Sequence, residues 1–469
     1  MRTPAISAVV TAALLSGCAV GPEYSRPKAD LPAQWKIEAP WREARPADSN
    51  LKGEWWRSFN DPRLDSLVAL ALAQSPNIAL ASARLAQARA TLSAASAGRY
   101  PQLSLGLRDN RLRISENRPL SNYSSAQFAT AQSDFVGTLN AAYEVDLVGR
   151  VRNSIEGARA SAERSAADFE NTKLLLTADV ATAYFNARQV DIELDVLARA
   201  LGLQRRSLEL ANSRHDLGAS SGLEVAQQQA LLDSTLTQVD VLNRLRGQYE
   251  HALATLTGTP APLFALTPVA LRRAPPAIPL GVPSDILERR PDVAAAERAM
   301  AAANAQIGVT RAALYPSINL GASLGSESRD LAQLFNASSL IWSIGASLVQ
   351  PIFDGGRLQA NVAFAEAGYQ AELATYRRVL LTAMQEVEDG ITGLAALERA
   401  SNQAAAAVAS ASRVLEMASA RYEGGAAAYL EVITAQQALL TAERLSAQLE
   451  GQRLLTAVFL VKALGGGWQ

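Results

Sequence analysis

The sequence contains an internal duplication, which limits the possible folds more than any other feature. Residues 76–106 align without gaps with residues 291–321 at an offset of 215, and 11 of the 31 positions are identical. A second block aligns at an offset of 207, and most of its shared residues are not alanine. They are Arg214, Gly218, Ala219, Leu223, Glu224, Val225, Gln229 and Leu232 in the first copy, and Arg421, Gly425, Ala426, Leu430, Glu431, Val432, Gln436 and Leu439 in the second. We therefore expect two copies of one structural unit.

Each copy contains an unusually long stretch of helix-forming residues. Arg150–Asp216 and Arg357–Glu423 each have 67 residues, rich in Ala, Leu, Glu, Gln and Arg and free of proline. At 1.5 Å per residue, each stretch predicts a helix about 100 Å long. In the second stretch, apolar residues follow the spacing of a coiled coil at Leu380, Met384, Val387, Ile391 and Leu394.

Shorter helices are predicted on either side of each long one. They cover residues 77–99 and 223–256 in the first copy and residues 292–314 and 430–464 in the second. Together, the two short helices of a copy nearly equal the long helix in length, so each copy would supply two helical layers to a cylinder wall. A solid coiled-coil rod would use the same helices, so the helices alone do not distinguish a tunnel from a rod.

Each copy also has two segments in which apolar and polar residues alternate. The apolar positions include Leu103, Leu105, Leu107, Phe135, Leu139, Tyr143, Val145, Ile318, Leu320, Leu324, Ile344 and Leu348. This period predicts strands of a barrel with an apolar face toward lipid, although a soluble sheet gives the same pattern. Because the smallest single-chain membrane barrels have about eight strands, four strands per chain require oligomerisation: two copies supply eight and three supply twelve.

The N-terminus has the features of a bacterial lipoprotein signal peptide. Arg2 precedes a short apolar stretch at residues 5–15, which ends in a lipobox-like sequence before Cys18. We expect cleavage before Cys18 and a covalent lipid on its thiol. Cys18 is the only cysteine, so an intrachain disulfide or a cysteine metal cluster is impossible, and no other cofactor is expected. Ala19, in place of an aspartate that would retain the protein at the inner membrane, favours the outer membrane.

The composition and the motifs argue against nucleic-acid binding and against enzymes. The 44 basic and 45 acidic residues give a net charge of -1, which provides no attraction for nucleic acid. Two sequences match the G-x-S-x-G hydrolase pattern, at residues 218–222 and 321–325, but neither has the required strand-turn-helix context. The only histidines are His215 and His251, and neither a Walker A sequence nor H-E-x-x-H occurs. A channel, a pore-free lipid-anchored coiled-coil scaffold and a lipoprotein hydrolase remain as alternatives.

Several sequence motifs resemble those of outer membrane factors of tripartite efflux pumps, the TolC-like family, in its lipidated NodT-type branch. The most specific motif is PSDILERRPD at residues 283–292, which continues to Tyr315-Pro316-Ser317-Ile318. Gly21-Pro22-Glu23-Tyr24, the Trp55-Trp56 pair before Phe59-Asn60-Asp61-Pro62, and the closing segment 464–468 are also typical of the family.

The resemblance implies a homotrimer with a 12-stranded transmembrane β-barrel and an α-helical tunnel in the periplasm. Such a protein would be a passive, lipid-anchored conduit in the outer membrane that exports drugs or other toxic compounds. Its partners would be outer-membrane lipid, a periplasmic adaptor (membrane fusion) protein and an inner-membrane transporter of the RND type. A channel of a type I-like or metal-ion export system is the alternative within the same architecture.

These expectations divide the chain into six segments. Residues 1–17 are the signal peptide, and residues 18–75 are the lipidated N-terminal segment with part of an equatorial region. Residues 76–257 and 291–465 are the two structural repeats. A Pro-rich equatorial linker at 258–290 joins them, and 466–469 form the C-terminal tail.

The resemblance also assigns roles to individual residues. The helix-to-helix turns would contact the adaptor, with ordinary helix capping as the alternative: Leu217, Gly218, Ala219, Gly424, Gly425 and Ala426. A tunnel gate is expected just past the second turn, where ordinary helix surface is the alternative: Arg421, Tyr422, Leu430, Glu431 and Thr434. Thr434 stands where family members commonly have an aspartate, so the usual carboxylate ring is missing. The junctions between strands and long helices are expected at Gly149, Arg150, Gly356 and Arg357, with each arginine either lining the lumen or paired with Asp146 or Asp354.

Overall fold

The computed structural model describes residues 20–27, 53–113, 115, 131–278 and 290–466. The predicted signal peptide, Cys18 and most of the PSDILERRPD motif lie outside the described residues. The chain divides into two compact units. The first comprises residues 1–27, 86–164 and 297–375, and the second comprises residues 28–85, 165–296 and 376–469.

The helices of the first repeat match the predicted pattern closely. A helix that was not predicted, α1 (Pro62–Gln74), precedes the repeat, whose own helices are α2 (Pro76–Ala97), the long α3 (Arg150–Asp216) and α4 (Gly222–Leu256). The predicted bounds of α3 are confirmed to the residue, because the helix-forming composition is uninterrupted and a glycine-containing turn follows it.

The second repeat contains α5 (Pro291–Ala312), the long α6 (Arg357–Glu423) and α7 (Tyr429–Ala463). The bounds of α5 equal those of α2 displaced by 215 residues, and the bounds of α6 equal those of α3 displaced by 207 residues. The element bounds therefore repeat at the same two offsets as the sequence. Leu380, Val387 and Ile391 are buried, as the coiled-coil spacing predicts.

Four antiparallel strands form one sheet in the order β1-β2-β3-β4. The strands are β1 (Gln102–Arg113), β2 (Ala131–Val145), β3 (Ser317–Ser328) and β4 (Leu340–Val349). Every connection in the order joins neighbours in sequence, so β1 and β4 are the two edges of the sheet within one chain.

The register of the strands separates the two faces of the sheet by polarity. One row of paired residues consists of Leu105, Leu139, Leu324 and Trp342, and the adjacent row consists of Ser104, Asn140, Ser323 and Ser343. Because successive side chains point to opposite faces, the leucine row lies on one face and the serine row on the other. Leu103, Leu139, Leu320 and Leu348 are 70%, 48%, 43% and 64% exposed. The apolar face therefore does not pack into a core of the same chain.

In the second unit, the Trp55-Trp56 motif begins a compact aromatic core. Trp55, Trp56 and Phe59 are buried in a short 3₁₀ helix (Trp55–Phe59). Asp61 caps α1 by accepting from the backbone amides of Arg63 and Leu64, and it also accepts a hydrogen bond of 2.8 Å from the Tyr184 hydroxyl. This part of the sequence motif thus connects the start of α1 to the middle of α3.

Buried ion pairs fasten the chain that follows α4 to the helices of the second unit. Asp191 on α3 is 1% exposed and receives Arg188 Nη1 at 2.8 Å and Arg246 Nε at 2.7 Å. The same carboxylate accepts from the backbone amide of Val269 at 3.0 Å. Arg188 also donates to the carbonyl oxygen of Thr267 at 2.7 Å. Because each buried charge has several partners, this part of the segment is held in one position.

No single described helix is long and apolar enough to cross a membrane. The consecutive helices α1 and α2 pass that test only as a pair, and they are bent by 43° at the break between them.

Candidate functional site at the helix turns

Both long helices end in the same backbone motif. The amide of Ala219 donates to the carbonyl of Arg214 at 2.7 Å, and the amide of Gly218 donates to His215 at 2.8 Å. Ala426 donates to Arg421 at 2.8 Å in the second turn, and Gly425 donates to Tyr422 at 3.0 Å. Gly218 and Gly425 have φ values of 72° and 74°, as this type of helix end requires.

The turns present exposed surface rather than packed surface. A Cβ atom added at Gly218 or Gly425 would meet no atom within 4 Å. Leu217 is 83% exposed at the first turn, and the turn residues 424–426 are exposed as well. Glycine is therefore required at these positions by the positive φ and not by crowding from neighbouring atoms. The outer side of each turn is open to a partner.

Behind the second turn, an ion pair connects the end of α6 to the start of α7. Arg421 Nη1 lies 3.3 Å from Glu431 Oε2, and Arg421 Nη2 donates to the carbonyl oxygen of Ala426 at 3.3 Å. Both side chains are about half exposed, so the pair contributes little to stability. It can separate at low cost.

Tyr422 connects the hairpin of the second repeat to that of the first. Its hydroxyl donates to Glu224 Oε2 on α4 at 3.3 Å. Its ring lies 4.7 Å from the guanidinium carbon of Arg214 on α3 and 4.9 Å from the ring of Tyr429. A single side chain thus contacts three other helices through one hydrogen bond, one cation–π contact and one aromatic contact.

A buried hydrogen-bond chain lies one layer deeper. The Tyr429 hydroxyl donates to Gln228 Oε1 at 2.9 Å, and Gln228 Nε2 donates to the backbone carbonyl of Gln204 at 2.9 Å. Burial raises the pKa of Tyr429 above its usual value. Sequence reasoning missed Tyr429 and Gln228. The residues at the matching positions of the other repeat are Gly222 and Ala435, so the duplication provides no signal for them.

The remaining predicted gate residues lie on the exposed side of α7. Leu430 is 56% exposed. Thr434 is exposed, and its hydroxyl donates to the carbonyl oxygen of Leu430 at 2.8 Å within the same helix. Thr434 therefore presents a methyl group and an already bonded hydroxyl where the family commonly has a carboxylate.

The model of the outer membrane efflux protein family matches residues 67–259 and 282–466, which is most of the chain. The chain belongs to the outer membrane efflux protein family.

Relatives and a solved structure agree with this family membership. The chain is 33% identical over 466 residues to the pyoverdine export outer membrane protein OpmQ of Pseudomonas aeruginosa, covering 99% of this chain and 97% of the relative. It is 31% identical over 460 residues to the cation efflux system protein CusC of Escherichia coli O6:H1, covering 97% of each. The structure of the outer-membrane channel OprN superposes with a TM-score of 0.87 at 28% identity, covering 96% of this chain and 100% of that chain.

These findings confirm the predicted family, fold class, outer-membrane location and general function. The protein is an outer membrane efflux channel that extends into the periplasm. Members of the family act as trimeric channels in tripartite efflux systems.

At the first junction of this efflux channel, the structure gives Arg150 a partner that the sequence did not identify. Arg150 donates to Glu144 through Nε at 2.6 Å and Nη2 at 2.5 Å. Asp146 instead caps α3, accepting from the amides of Val151 and Arg152 at 3.0 and 2.8 Å. Gly149, with φ of 83°, lies in the bend between Asp146 and the start of α3.

The second junction uses the same type of cap. Asp354 accepts from the amides of Gly356 and Leu358 at 3.0 and 2.9 Å, and Gly356 has φ of 88°. Arg357 is exposed at the start of α6. The carboxylates of Asp146 and Asp354 thus accept from backbone amides at the starts of the long helices, in place of the expected ion pairs with Arg150 and Arg357.

The serine motifs of the efflux channel lack the geometry of a hydrolase. Ser220 lies in the first helix turn and its hydroxyl donates to the carbonyl oxygen of Ala211 at 3.2 Å. His215 Nδ1 lies 3.1 Å from the backbone oxygen of Ser220, not from its hydroxyl. Ser323 lies inside β3. Among the residues that the structure describes, no cluster of His, Cys, Asp or Glu could hold a metal ion.

Proposed function

We propose that three copies of this chain form a passive conduit through the outer membrane, with a 12-stranded barrel and an α-helical tunnel. The observation that carries this proposal is the sheet, which has one exposed apolar face, one polar face and two open edges. An open edge cannot remain in lipid, because its amides and carbonyls would lack hydrogen-bond partners. Pairing β1 of one copy with β4 of the next removes every edge.

Three copies also agree with the family. Two copies would supply eight strands, whose interior is filled by side chains, whereas about twelve strands enclose a wider lumen. Rows of Ser, Asn, Thr and Gly on the polar face suit a water-filled interior.

The turns and the gate residues are assigned to the periplasmic end. Leu217-Gly218-Ala219 and Gly424-Gly425-Ala426 would contact the adaptor, which explains why exposed apolar surface is placed at a turn. The contacts of Tyr422 and the ion pair between Arg421 and Glu431 would hold the tunnel gate closed. Binding of the adaptor would then separate the helix pair α3–α4 from the helix pair α6–α7 and open the gate.

An inner-membrane transporter of the RND type would supply the energy, and this chain would carry out no chemistry of its own. The hydroxyl of Ser220, which is already bonded to the carbonyl oxygen of Ala211, supports this part of the proposal. The only covalent addition we propose is the lipid on Cys18. Val20, the first described residue after Cys18, donates its amide to the carbonyl oxygen of Val148 near the end of β2 at 3.1 Å, which supports a lipid anchor.

The exported compounds are proposed to be small molecules, with selection made by the transporter. OpmQ and CusC are named for pyoverdine and cations, although both resemble this chain to a similar degree. A common channel architecture thus serves chemically different cargoes. Metal-ion export is the second candidate function, because the relative CusC belongs to a cation efflux system. However, Thr434 provides no carboxylate that could bind cations at the tunnel gate.

Planar bilayers containing the purified protein test this proposal. We expect single-channel conductance and a heat-labile band of three subunits on gels. A matched preparation truncated within β2–β4 should give neither. A monomer without conductance, or a closed dimer, would contradict the proposal.

A further inference from the structure

Three arginines lie near one end of β1, and they divide between the two faces of the sheet. Arg111 and Arg113 share the face of Leu103, Leu105 and Leu107, because residues two apart on a strand point the same way. Arg108 lies on the opposite, polar face, where it pairs with Asp134 at 3.1 Å. Two cations and one carboxylate, Asp109, therefore stand on this face of the sheet, with a net positive charge, and all three are exposed.

The two arginines lie just beyond the apolar band. Five successive rows carry apolar residues on this face, from the row of Val145, Ile318 and Leu348 to the row of Leu107 and Leu340. Four steps of two residues cover about 27 Å along the strands, or roughly 20 Å after the usual barrel tilt, close to the apolar height of about 25 Å seen in such barrels. Arg111 comes four residues, about 13 Å along the strand, after Leu107. It is therefore at the depth of lipid headgroups.

The position of the long helices identifies which membrane surface this is. β2 and β4 lead into α3 and α6 at the opposite end of the sheet from Arg111 and Arg113. Because the helices of this family extend into the periplasm, the arginine end faces the outer surface. The outer leaflet of an outer membrane consists of phosphorylated glycolipid, whose phosphates are fixed anions at the surface.

We propose that Arg111 and Arg113 bind the lipid A phosphates of lipopolysaccharide on the outside of the barrel. The guanidinium group suits this role, because it stays charged and can donate two parallel hydrogen bonds to one phosphate. The leucines below would contact the acyl chains of the same lipid. This inference rests on the proposed function for the orientation of the sheet in the membrane.

The test measures lipid A binding to the full-length protein in detergent. The variants are R111Q/R113Q and, as a matched control on the same strand, R108Q. We expect the Kd for lipid A to rise about tenfold or more in R111Q/R113Q, because each basic residue near an anionic membrane surface strengthens binding roughly fivefold. In R108Q the Kd should change less than about twofold. With dephosphorylated lipid A, the wild type and R111Q/R113Q should bind equally.

Two results would overturn the proposal: unchanged lipid A affinity in R111Q/R113Q, or an equal loss with dephosphorylated lipid A. The first would mean that the arginines take no part in binding lipid A. Conductance of each variant in planar bilayers separates this inference from the proposed function. Conducting variants with unchanged lipid binding reject the lipid site alone, whereas a wild type that never conducts rejects the conduit.

Discussion

Two neighbouring tyrosines at the second helix turn share a ring contact, but their hydroxyls differ in environment. Tyr422 reaches a partly exposed carboxylate on Glu224, whereas Tyr429 donates to Gln228 inside the helix bundle. The exposed contact is suited to breaking and re-forming, and the buried contact to holding the helices together. The two residues should therefore affect different measurements.

The change Tyr422→Phe tests the proposed gate. It removes the hydrogen bond to Glu224 and keeps the ring against Arg214 and Tyr429. We expect the closed state to lose about 1 kcal/mol, which raises the open probability roughly fivefold in single-channel recordings. Thr441→Val is the control, because the Thr441 hydroxyl donates to the carbonyl oxygen of Gln437 within α7 and the residue lies outside the proposed gate. Equal open probability in Tyr422→Phe and the wild type would place the gate elsewhere.

The change Tyr429→Phe should lower the stability of the folded protein, and the size of that loss should depend on pH. At neutral pH the lost hydrogen bond leaves Gln228 Oε1 unpaired, at a cost of about 1–3 kcal/mol. Burial raises the pKa of Tyr429 in the folded protein, whereas the unfolded phenol ionises near pH 10. The stability contributed by this tyrosine is thus present below about pH 10 and lost above it. Thermal unfolding should show the two proteins converging in alkali, and a constant difference would contradict the assignment.

The two helix turns show how an element can be terminated by backbone geometry alone. Gly218 and Gly425 have open space around them, so only their positive φ values demand glycine. The long helices end where these glycines occur, and the exposed turn surface follows from that ending.

The changes Gly218→Ala and Gly425→Ala should each loosen the last turn of a long helix. A residue with a Cβ in this conformation costs about 1–2 kcal/mol, so amide exchange in that turn should quicken roughly 5- to 30-fold. Gly202→Ala is the matched control, because Gly202 lies inside α3 with open space around it. There alanine should stabilise by about 0.5–1 kcal/mol. Slower exchange in the turn variants would contradict this account.

The two long helices could be predicted to the residue and the four shorter helices of the repeats to within two residues, whereas the contacts of the helices could not be predicted. Helix length depends on local composition and on the glycine turns, and the repeat offset supplied the second copy of each signal. The partner of Arg150 depends on how β2 is placed before α3, which no local pattern encodes. For the same reason, the links of Tyr429 to Gln228 and of Asp191 to Arg246 join positions far apart in the chain.

Arg290 shows how one such distant contact can join three helices. Its guanidinium donates to Asp292 at 2.6 and 3.0 Å, to Glu386 on α6 at 2.6 Å and to the carbonyl oxygen of Ala463 on α7 at 3.0 Å. Removing a buried charge from such a network costs about 3–5 kcal/mol. Arg290→Met should therefore lower the thermal midpoint clearly. Arg298→Met, which breaks the exposed pair with Glu163, should cost less than about 1 kcal/mol. Similar midpoints would mean that the Arg290 network carries no stability.

At the scale of the whole molecule, the sheet determines what the chain can be. A soluble sheet buries its apolar face, whereas here each of the four strands leaves at least one large apolar side chain of that face exposed. The polar face has the composition of a wet surface, and both edges are open within one chain. Membrane insertion and association of subunits account for the three features together, and either one alone leaves exposed apolar surface or unpaired backbone groups.

Two adjacent residues of β3 separate the lipid face from the lumen face. Leu324→Arg would put a charge on the apolar row, where near the bilayer midplane it costs about 2–4 kcal/mol per subunit, so little protein should assemble as outer-membrane trimer. Ser323→Arg, one position away on the polar row, should assemble normally and shift single-channel ion selectivity toward anions, because three added positive charges would line one lumen. Equal assembly of the two variants, or a selectivity change in Leu324→Arg only, would show that the apolar face does not meet lipid and that the strands do not surround a pore.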